Sequence, residues 1–365
     1  MDLKPFRAEA QRGIRIALAG REGSGRHTLA DQMRRDPARL NVASVTPLLI
    51  LDIKNADEAY QKGSNADLII LLADSNQTDI IPEIHLARRW LDAGKRMLVV
   101  INCKPAAAEP LPDNSSLMLD QWGTLGKRYV LTGSVMDLNF ITQEFCPLVI
   151  EVIPDQLLSL GRYFPLFRIP IANQLINDTC LSNAAYAVST GLAEVVPVLD
   201  VPLNVADMFI LTKAQAFLVY KLGLVLGFSY NWQDYIKEFS GVLGGGFIWR
   251  QIARQLVGLI PAWGIVPKVA VSYAGTYVVG HVVLQWYLTG RHISRRQMQE
   301  LYIQAFARGK NLADGLLKRL PKPKGKKREI KALPSPKKIS RCPRCGKRPA
   351  KGAQFCHYCG APLEP

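Results

Sequence analysis

Ile14-Arg15-Ile16-Ala17-Leu18-Ala19-Gly20-Arg21-Glu22-Gly23-Ser24-Gly25-Arg26-His27-Thr28 opens on a β-rich apolar run, passes three glycines and enters an amphipathic helix from Leu29 to about Arg35. Strand, glycine turn and helix in that order suit a phosphate site, because glycines let backbone N–H groups converge on an anion where the helix begins. The candidate nucleotide-binding residues here are Gly20, Gly23, Ser24, Gly25, Arg26, His27 and Thr28. In the usual form of such a turn a Lys reaches the terminal phosphates and the next hydroxyl ligates Mg²⁺. In this chain Arg26 replaces the Lys, and His27 stands where the Ser or Thr belongs, with Thr28 one place later. Arg neutralises phosphate, but its flat fork is longer and fits a tight loop less well.

Around this turn, residues 13 to about 153 alternate short β-rich runs with helical segments, as a doubly wound, mainly parallel α/β sheet requires. The predicted strands are Ile14 to Ala19, Leu48 to Leu51, Leu68 to Ala73, Met97 to Asn102 and Tyr129 to Thr132. A helix is predicted from Pro82 to Ala93, closed by Gly94. From about 154 to 317 the composition turns to Leu, Val, Ala and Gly with few charges, which predicts an all-α apolar region. Residues 318–340 are rich in Lys and Arg and carry Pro321, Pro323, Pro334 and Pro336, a composition that buries no core and predicts a basic, extended linker. The predicted domains are therefore 1–153, 154–317, the linker 318–340, and a small module at 341–365.

The chain has 365 residues, 48% of them apolar, so a sizeable core is available and disorder throughout is excluded. Of the formal charge of +16, residues 318–365 hold fifteen Lys or Arg against two Glu, which leaves +3 for everything upstream. Charge so placed suits an acidic surface, lipid or nucleic acid, and says little about pocket chemistry. A solvated linker explains it equally well. Met1 to Gly13 are polar and charged without an apolar run, so neither a signal peptide nor an N-terminal anchor is expected there.

Four of the seven cysteines form the pairs Cys342-Pro-Arg-Cys345-Gly346 and Cys356-His-Tyr-Cys359-Gly360, ten residues apart. Two residues between cysteines let one tight turn aim both sulfurs at a metal about 2.3 Å away, and a following Gly permits the positive φ that points N–H groups back at sulfur. Cys342, Cys345, Cys356 and Cys359 are thus the expected ligands of one structural Zn²⁺ in a minimal zinc ribbon. With all four positions filled by thiolates, no water is activated there. Arg344, Lys347, Arg348 and Lys351 partly offset the site's negative charge. The isolated Cys103, Cys146 and Cys180 lie in apolar surroundings that suit inert thiols, so the pattern points to a reducing compartment.

Residues 13 to 153 resemble a small GTPase domain of the translation-factor-related class. The resemblance implies that Asp52, at the end of an apolar strand, is the metal-associated Asp, with Asn55 in place of the family's Gly. It implies that Asn102 in Asn102-Cys103-Lys104-Pro105 matches the Asn of Asn-Lys-x-Asp, while the Lys and the base-reading Asp are missing, and that Thr132-Gly133-Ser134 stands for the last base-contacting loop. Between Thr28 and Asp52 there is space for one helix and one connection, without the family's switch loop and second strand. Guanine selectivity is unsupported without that Asp, since it depends on a directed hydrogen-bond pair. Hydrolysis needs Mg²⁺, a positioned water and a switch segment, and is expected to be weak or absent.

Residues 175 to 317 resemble the GTPase-associated helical domain of unknown function 697, the YcjF-like group. The resemblance rests on a proline-bearing acidic helix start near Pro197 to Asp207, a Gly-rich turn at Gly244 to Gly246 and Ile260-Pro-x-x-Gly264. It implies membrane association. Val269 to Gly290 is an uncharged stretch long enough to span, for which roughly twenty apolar residues are needed. Other apolar stretches carry Lys221, Arg250, Arg254 or Lys268, and an unpaired charge at mid-bilayer costs about 3 kcal/mol. Since a nucleotide turn and a reduced zinc ribbon belong on the same side, an even number of crossings, a re-entrant hairpin or a peripheral attachment fits. His281, within that stretch, is expected to be an interior hydrogen-bonded side chain.

The sequence thus predicts a GTPase-like protein at the cytoplasmic face of a membrane, binding a purine nucleotide such as GTP, with Mg²⁺, as a switch. Its expected partners are an anionic membrane surface and an unidentified protein. A non-catalytic adaptor with a degenerate pocket is the alternative. A nucleic-acid role for linker and ribbon ranks last, because only Phe355 and Tyr358 are available for stacking there.

Overall fold

The computed structural model describes residues 2–36, 39–77, 79–103, 122, 129–193, 205–235, 265–291, 293–319 and 346. The chain divides into two compact units, Met1–Leu317 and Lys318–Pro365. The four ribbon cysteines, Pro197, the turn at 244–246 and the Ile260 to Gly264 motif lie outside the described residues.

In the first unit, helix α1 (Lys4–Arg12) leads into strand β1 (Ile16–Gly20) and helix α2 (Arg26–Arg34). Then come β2 (Arg35–Asp36), β3 (Arg39–Ala43), β4 (Leu49–Asp52), α3 (Ala56–Gly63), β5 (Leu68–Asp74), α4 (Ile81–Asp92), β6 (Met97–Asn102) and β7 (Val130–Gly133). Five strands form one sheet in the order β4-β1-β5-β6-β7, and every pairing is parallel. Each of the five runs predicted to be strands is one of these. The connection between Thr28 and Asp52 differs from expectation, because β2 and β3 form a small antiparallel ribbon there. Arg35-Asp36 is too short to show a pattern and the alternation in Arg39-Leu40-Asn41-Val42-Ala43 covers only five residues, so neither marks itself as a strand, and the ribbon does not join the main sheet.

Side chains alternate across a strand, so each buried strand serves two cores. Ile16, Leu18, Ile70, Leu72, Leu98 and Val100 face one side, where they pack with Leu29, Ala30 and Met33 of α2. Ala17, Ala19, Ile69, Leu71, Val99 and Ile101 face the other, where Ala59 of α3 and Ile84, Leu86 and Trp90 of α4 cover them. Strands β1 and β5 are neighbours, yet the helices that follow them lie on opposite faces. Their carboxyl ends therefore flank the topological switch point, the crevice where ligands bind in such sheets.

The first of these cores continues without a break into the helical region. After β7 come α5 (Leu138–Phe140), a π-helical turn (Ile141–Phe145), α6 (Cys146–Val152) and α7 (Leu157–Tyr163). The long helices α8 (Arg168–Ala193), α9 (Val205–Val225), α10 (Ile265–Thr289) and α11 (Arg295–Arg319) follow. Helix α11 thus runs two residues beyond 317, into the stretch read as linker.

Helix α10 contains the stretch read as a possible span. Among the described residues no helix is long and apolar enough to cross a membrane, which corrects that expectation. Its apolar character has another source: Val269, Ala274, Val278, Val283 and Leu284 are buried in the shared core. A helix apolar on most sides is what a central position among other helices requires. Helix α8 packs along it, with Asn183 Nδ2 donating to Thr276 Oγ1 at 2.9 Å and Ser272 Oγ donating to the Asn183 carbonyl at 3.1 Å. Gly280 admits Ile176, whose Cγ1 is 2.7 Å from where a Cβ would stand, and Gly309 of α11 admits the Ala270 backbone at 2.9 Å. His281 is half-buried, its ring 4.2 Å from that of Tyr277, and burial together with Arg308 lowers its pKa.

Polar contacts also join the α/β layer to the helices. The Ser44 and Thr46 hydroxyls both donate to the Tyr163 carbonyl, at 2.9 and 2.7 Å. Glu9 of α1 accepts from Leu158 N at 2.8 Å, capping α7, while the Glu9 carbonyl accepts from Ser159 Oγ. Burial raises the Glu9 pKa above its ordinary 4.5, although the Leu158 amide and Lys221 pull it down.

A raised carboxyl pKa in the folded state means that the native chain binds more protons, so stability is lost as pH rises through that value. Glu9→Gln keeps an acceptor for Leu158 and abolishes this loss. Urea melts should therefore show a smaller fall in stability above about pH 4.5 for the variant than for the parent. Gly309→Val must push the Ala270 backbone, and the expected destabilisation is about 1–3 kcal/mol by the same measurement.

Candidate functional site

The β1–α2 turn lies at the carboxyl edge of the sheet, where Gly20 is in register with Asp52, Asp74 with Asn102, and Asn102 with Gly133. Strand register therefore brings together sequence-predicted residues spread over more than eighty positions. Gly23 at φ 81° and Gly25 at φ 100° place the turn in the left-handed region that side chains avoid. Gly25 is the N-cap of α2 and no side chain caps the helix, so the first-turn amides face outward with the positive end of the dipole behind them. The Ser24 hydroxyl is buried with no hydrogen-bond partner and lies 2.6 Å from the place a Cβ on Gly20 would take. Ser75, just beyond β5, holds a second buried hydroxyl without a partner.

Asn102 fixes the turn. Its Nδ2 donates to the Ser24 carbonyl at 3.0 Å and its Oδ1 accepts from Val135 N at 3.1 Å, so one buried amide ties β1, β6 and the loop after β7 together. One donor and one acceptor of this amide are used in this way. A Cβ on Gly25 would stand 2.4 Å from that Nδ2, a second reason for glycine there.

Arg26 is 7% exposed and is turned toward the end of β4. Its Nη1 donates to the Leu51 carbonyl and its Nη2 is 3.8 Å from Asp52 Oδ2. Asp52 also accepts from Lys54 N at 2.9 Å through Oδ1, and Lys54 Nζ lies 4.0 Å from its Oδ2 and 3.0 Å from Glu22 Oε2. The hydrogen bond and charge of Glu22, then the charge of Asp52, raise the Lys54 pKa. His27 is exposed and Thr28 half-buried. Asn55, where the resemblance implies a Gly, caps α3 by accepting from Glu58 N at 3.2 Å.

The sequence did not single out Glu83, which is fully buried. Arg21 Nε lies 2.7 Å from its Oε1 and Arg21 Nη2 donates to Oε2 at 3.1 Å, while Gln77 Nε2 donates to Oε1 at 2.7 Å. An acidic residue in the first turn of α4 was visible as a favourable dipole partner. That it anchors the glycine turn 62 residues upstream was not.

These residues fit an anion better than a metal. The uncapped amides, the unpartnered Ser24 hydroxyl and Arg26 suit a phosphate group. The implied Mg²⁺ ligands do not fit: position 27 carries an imidazole in place of a hydroxyl, and Asp52 is already engaged by Arg26, Lys54 and an amide. Among the described residues no group of three or more His, Cys, Asp or Glu is placed to hold a metal.

Comparison with known proteins bears on the other end of the chain. Residues 340–363 match a zinc-ribbon domain. The match includes Cys342, Cys345, Cys356 and Cys359, and Gly346 has the positive φ, 68°, that the pattern requires after Cys345. Four thiolates are the donor set of a structural zinc, and they fit it. No curated protein matches the chain. The GTPase-like and YcjF-like resemblances rest on the residues quoted for them. Of the three isolated cysteines, Cys146 and Cys180 are buried, with thiol pKa values pushed up to about 12 by burial, which disfavours the reactive thiolate. Cys103 is half-buried.

Asn102→Ala leaves the Ser24 carbonyl and the Val135 amide without partners, and a loss of about 2–4 kcal/mol is expected in denaturant melts. Metal analysis of the purified protein is expected to give about one zinc per chain, and Cys342→Ser to reduce it sharply.

Proposed function

We propose that this chain is a switch-type protein, in which a GTPase-like α/β domain binds the phosphates of a purine nucleotide at the β1–α2 turn, with hydrolysis weak or absent. One observation carries the proposal: an uncapped helix N-terminus and a buried, unpartnered Ser24 hydroxyl meet at the switch point of a parallel sheet. Gly20, Gly23, Gly25, Arg26, His27 and Thr28 surround the phosphates in this proposal, and Asn102 holds the turn in shape. Base preference is open, because the base-reading Asp of the family is missing. Weak hydrolysis follows from the absence of a hydroxyl at position 27 and from the pairing of Asp52 with Arg26.

Ligand state would reach the helical region through α2, whose far end carries Arg34, donating to the Thr46 carbonyl at 3.1 Å, next to the hydroxyls that grip Tyr163. Attachment to an anionic membrane is proposed to be peripheral, through the basic linker. A cytoplasmic face is supported by the cluster of zinc-spaced thiols, which persists in a reducing compartment.

A second proposal, a non-catalytic scaffold, is favoured by the buried engagement of Arg26 with Leu51 and Asp52. Equilibrium titration with fluorescent GTP and ATP separates the two. Saturable micromolar binding that weakens at least about tenfold, or 1.4 kcal/mol, on Arg26→Ala is expected of the switch. No binding at high micromolar nucleotide leaves the scaffold.

A further inference from the structure

We infer that Asp52 acts as a latch on Arg26 and not as a metal-associated carboxylate, so that phosphate binding at the β1–α2 turn is independent of Mg²⁺ and is restrained by Asp52. This rests on the nucleotide-binding proposal and concerns the regulation of the same site.

The argument starts from charge and geometry. Arg26 is nine-tenths buried, so its guanidinium must be paired where it stands, and its partners are a backbone carbonyl and the Asp52 carboxylate at 3.8 Å. Both oxygens of Asp52 already face a donor or a positive charge. Oδ1 accepts the Lys54 amide, and Oδ2 lies between Arg26 Nη2 and Lys54 Nζ. A divalent ion at Asp52 would meet the repulsion of two cations already within 4.0 Å of Oδ2. The neighbouring position that would complete its coordination, His27, is an exposed imidazole, a poor ligand for an ion that prefers oxygen.

The positive charge needed to neutralise phosphate is instead supplied by protein, through Arg26 from below and Lys54 at the rim. For Arg26 to reach a ligand it must leave Asp52, and phosphate, with its bidentate match to guanidinium, competes for it directly. The closed arrangement is thus an internal competitor of the ligand. Asp52 is a positioning residue that acts through Arg26.

The test measures binding of a fluorescent GTP analogue and of inorganic pyrophosphate to the full chain, with Mg²⁺ or with EDTA. Three proteins are compared: the parent, Asp52→Asn and Glu22→Gln. Glu22→Gln removes one negative charge from the same rim with no contact to Arg26, and so reports general electrostatics. The expected result is binding by the parent that changes less than about twofold when EDTA replaces Mg²⁺, with Asp52→Asn binding about three- to tenfold tighter and Glu22→Gln distinctly less so. Binding by Asp52→Asn alone also supports the latch, as one too tight for the parent to open. A requirement for Mg²⁺, weaker binding by Asp52→Asn, or equal gains in both variants overturns the latch while leaving nucleotide binding intact. Absence of binding in all three, with native circular dichroism, overturns the nucleotide proposal and the latch with it. Asp52→Ala provides a second removal of the carboxylate should the Asn variant fold poorly.

Discussion

The parallel sheet must be covered on both faces, and the way it is covered organises the rest of the first unit. One face is closed locally by α3 and α4, each following its own strand. The other, carrying Leu18, Leu72 and Val100, shares a single apolar core with α2, α6 and the long helices. The helical region is therefore the second wall of the sheet, and its apolar composition is explained by burial against α/β elements and its own neighbours. Helix α10 has the same explanation: uncharged for more than twenty residues, it packs against α8 and α9 and meets α11 where Gly309 approaches Ala270.

Placing α2 on one face and α4 on the other opens the crevice between β1 and β5, and everything polar in the site is arranged around that opening. Arg21 is drawn to Glu83 on one side and Arg26 to Asp52 on the other, while Asn102 holds the turn from beneath. A turn pinned from three directions keeps its amides oriented with little freedom to lose on binding, which is the condition for preorganised anion recognition. The same contacts have a second effect, since the side chain best suited to meet an anion is occupied by an internal carboxylate. Preorganised backbone and restrained side chain coexist because they depend on different partners.

Much of the fold was legible in the sequence. Strands buried on both faces must be short continuous apolar runs, and five such runs separated by helical segments leave few arrangements other than a parallel sheet. The ribbon β2–β3 was not legible, because two residues show no periodicity and the alternation of Leu40 and Val42 with Arg39 and Asn41 is too brief to separate a strand from a loop. In the candidate site, Gly20, Gly23 and Gly25 announced a turn with left-handed backbone, and two of them adopt it. Glu83 and Lys54 escaped notice because their importance lies in charges that approach only after β5 and β4 come to rest beside β1.

By itself the sequence determined the parallel α/β character, the apolar helical region and the zinc-ribbon cysteines, all of which follow from periodicity or spacing within a few residues. Only the tertiary structure decided where the charged groups of the glycine turn would end. Arg26 reads as a phosphate ligand in isolation and becomes the partner of Asp52 because β4 lies next to β1, a neighbour relation set by sheet order. It also decided that the apolar stretch in α10 is interior. Hydrophobicity records only that a segment avoids water, and what shelters it depends on which other surfaces the fold brings within reach.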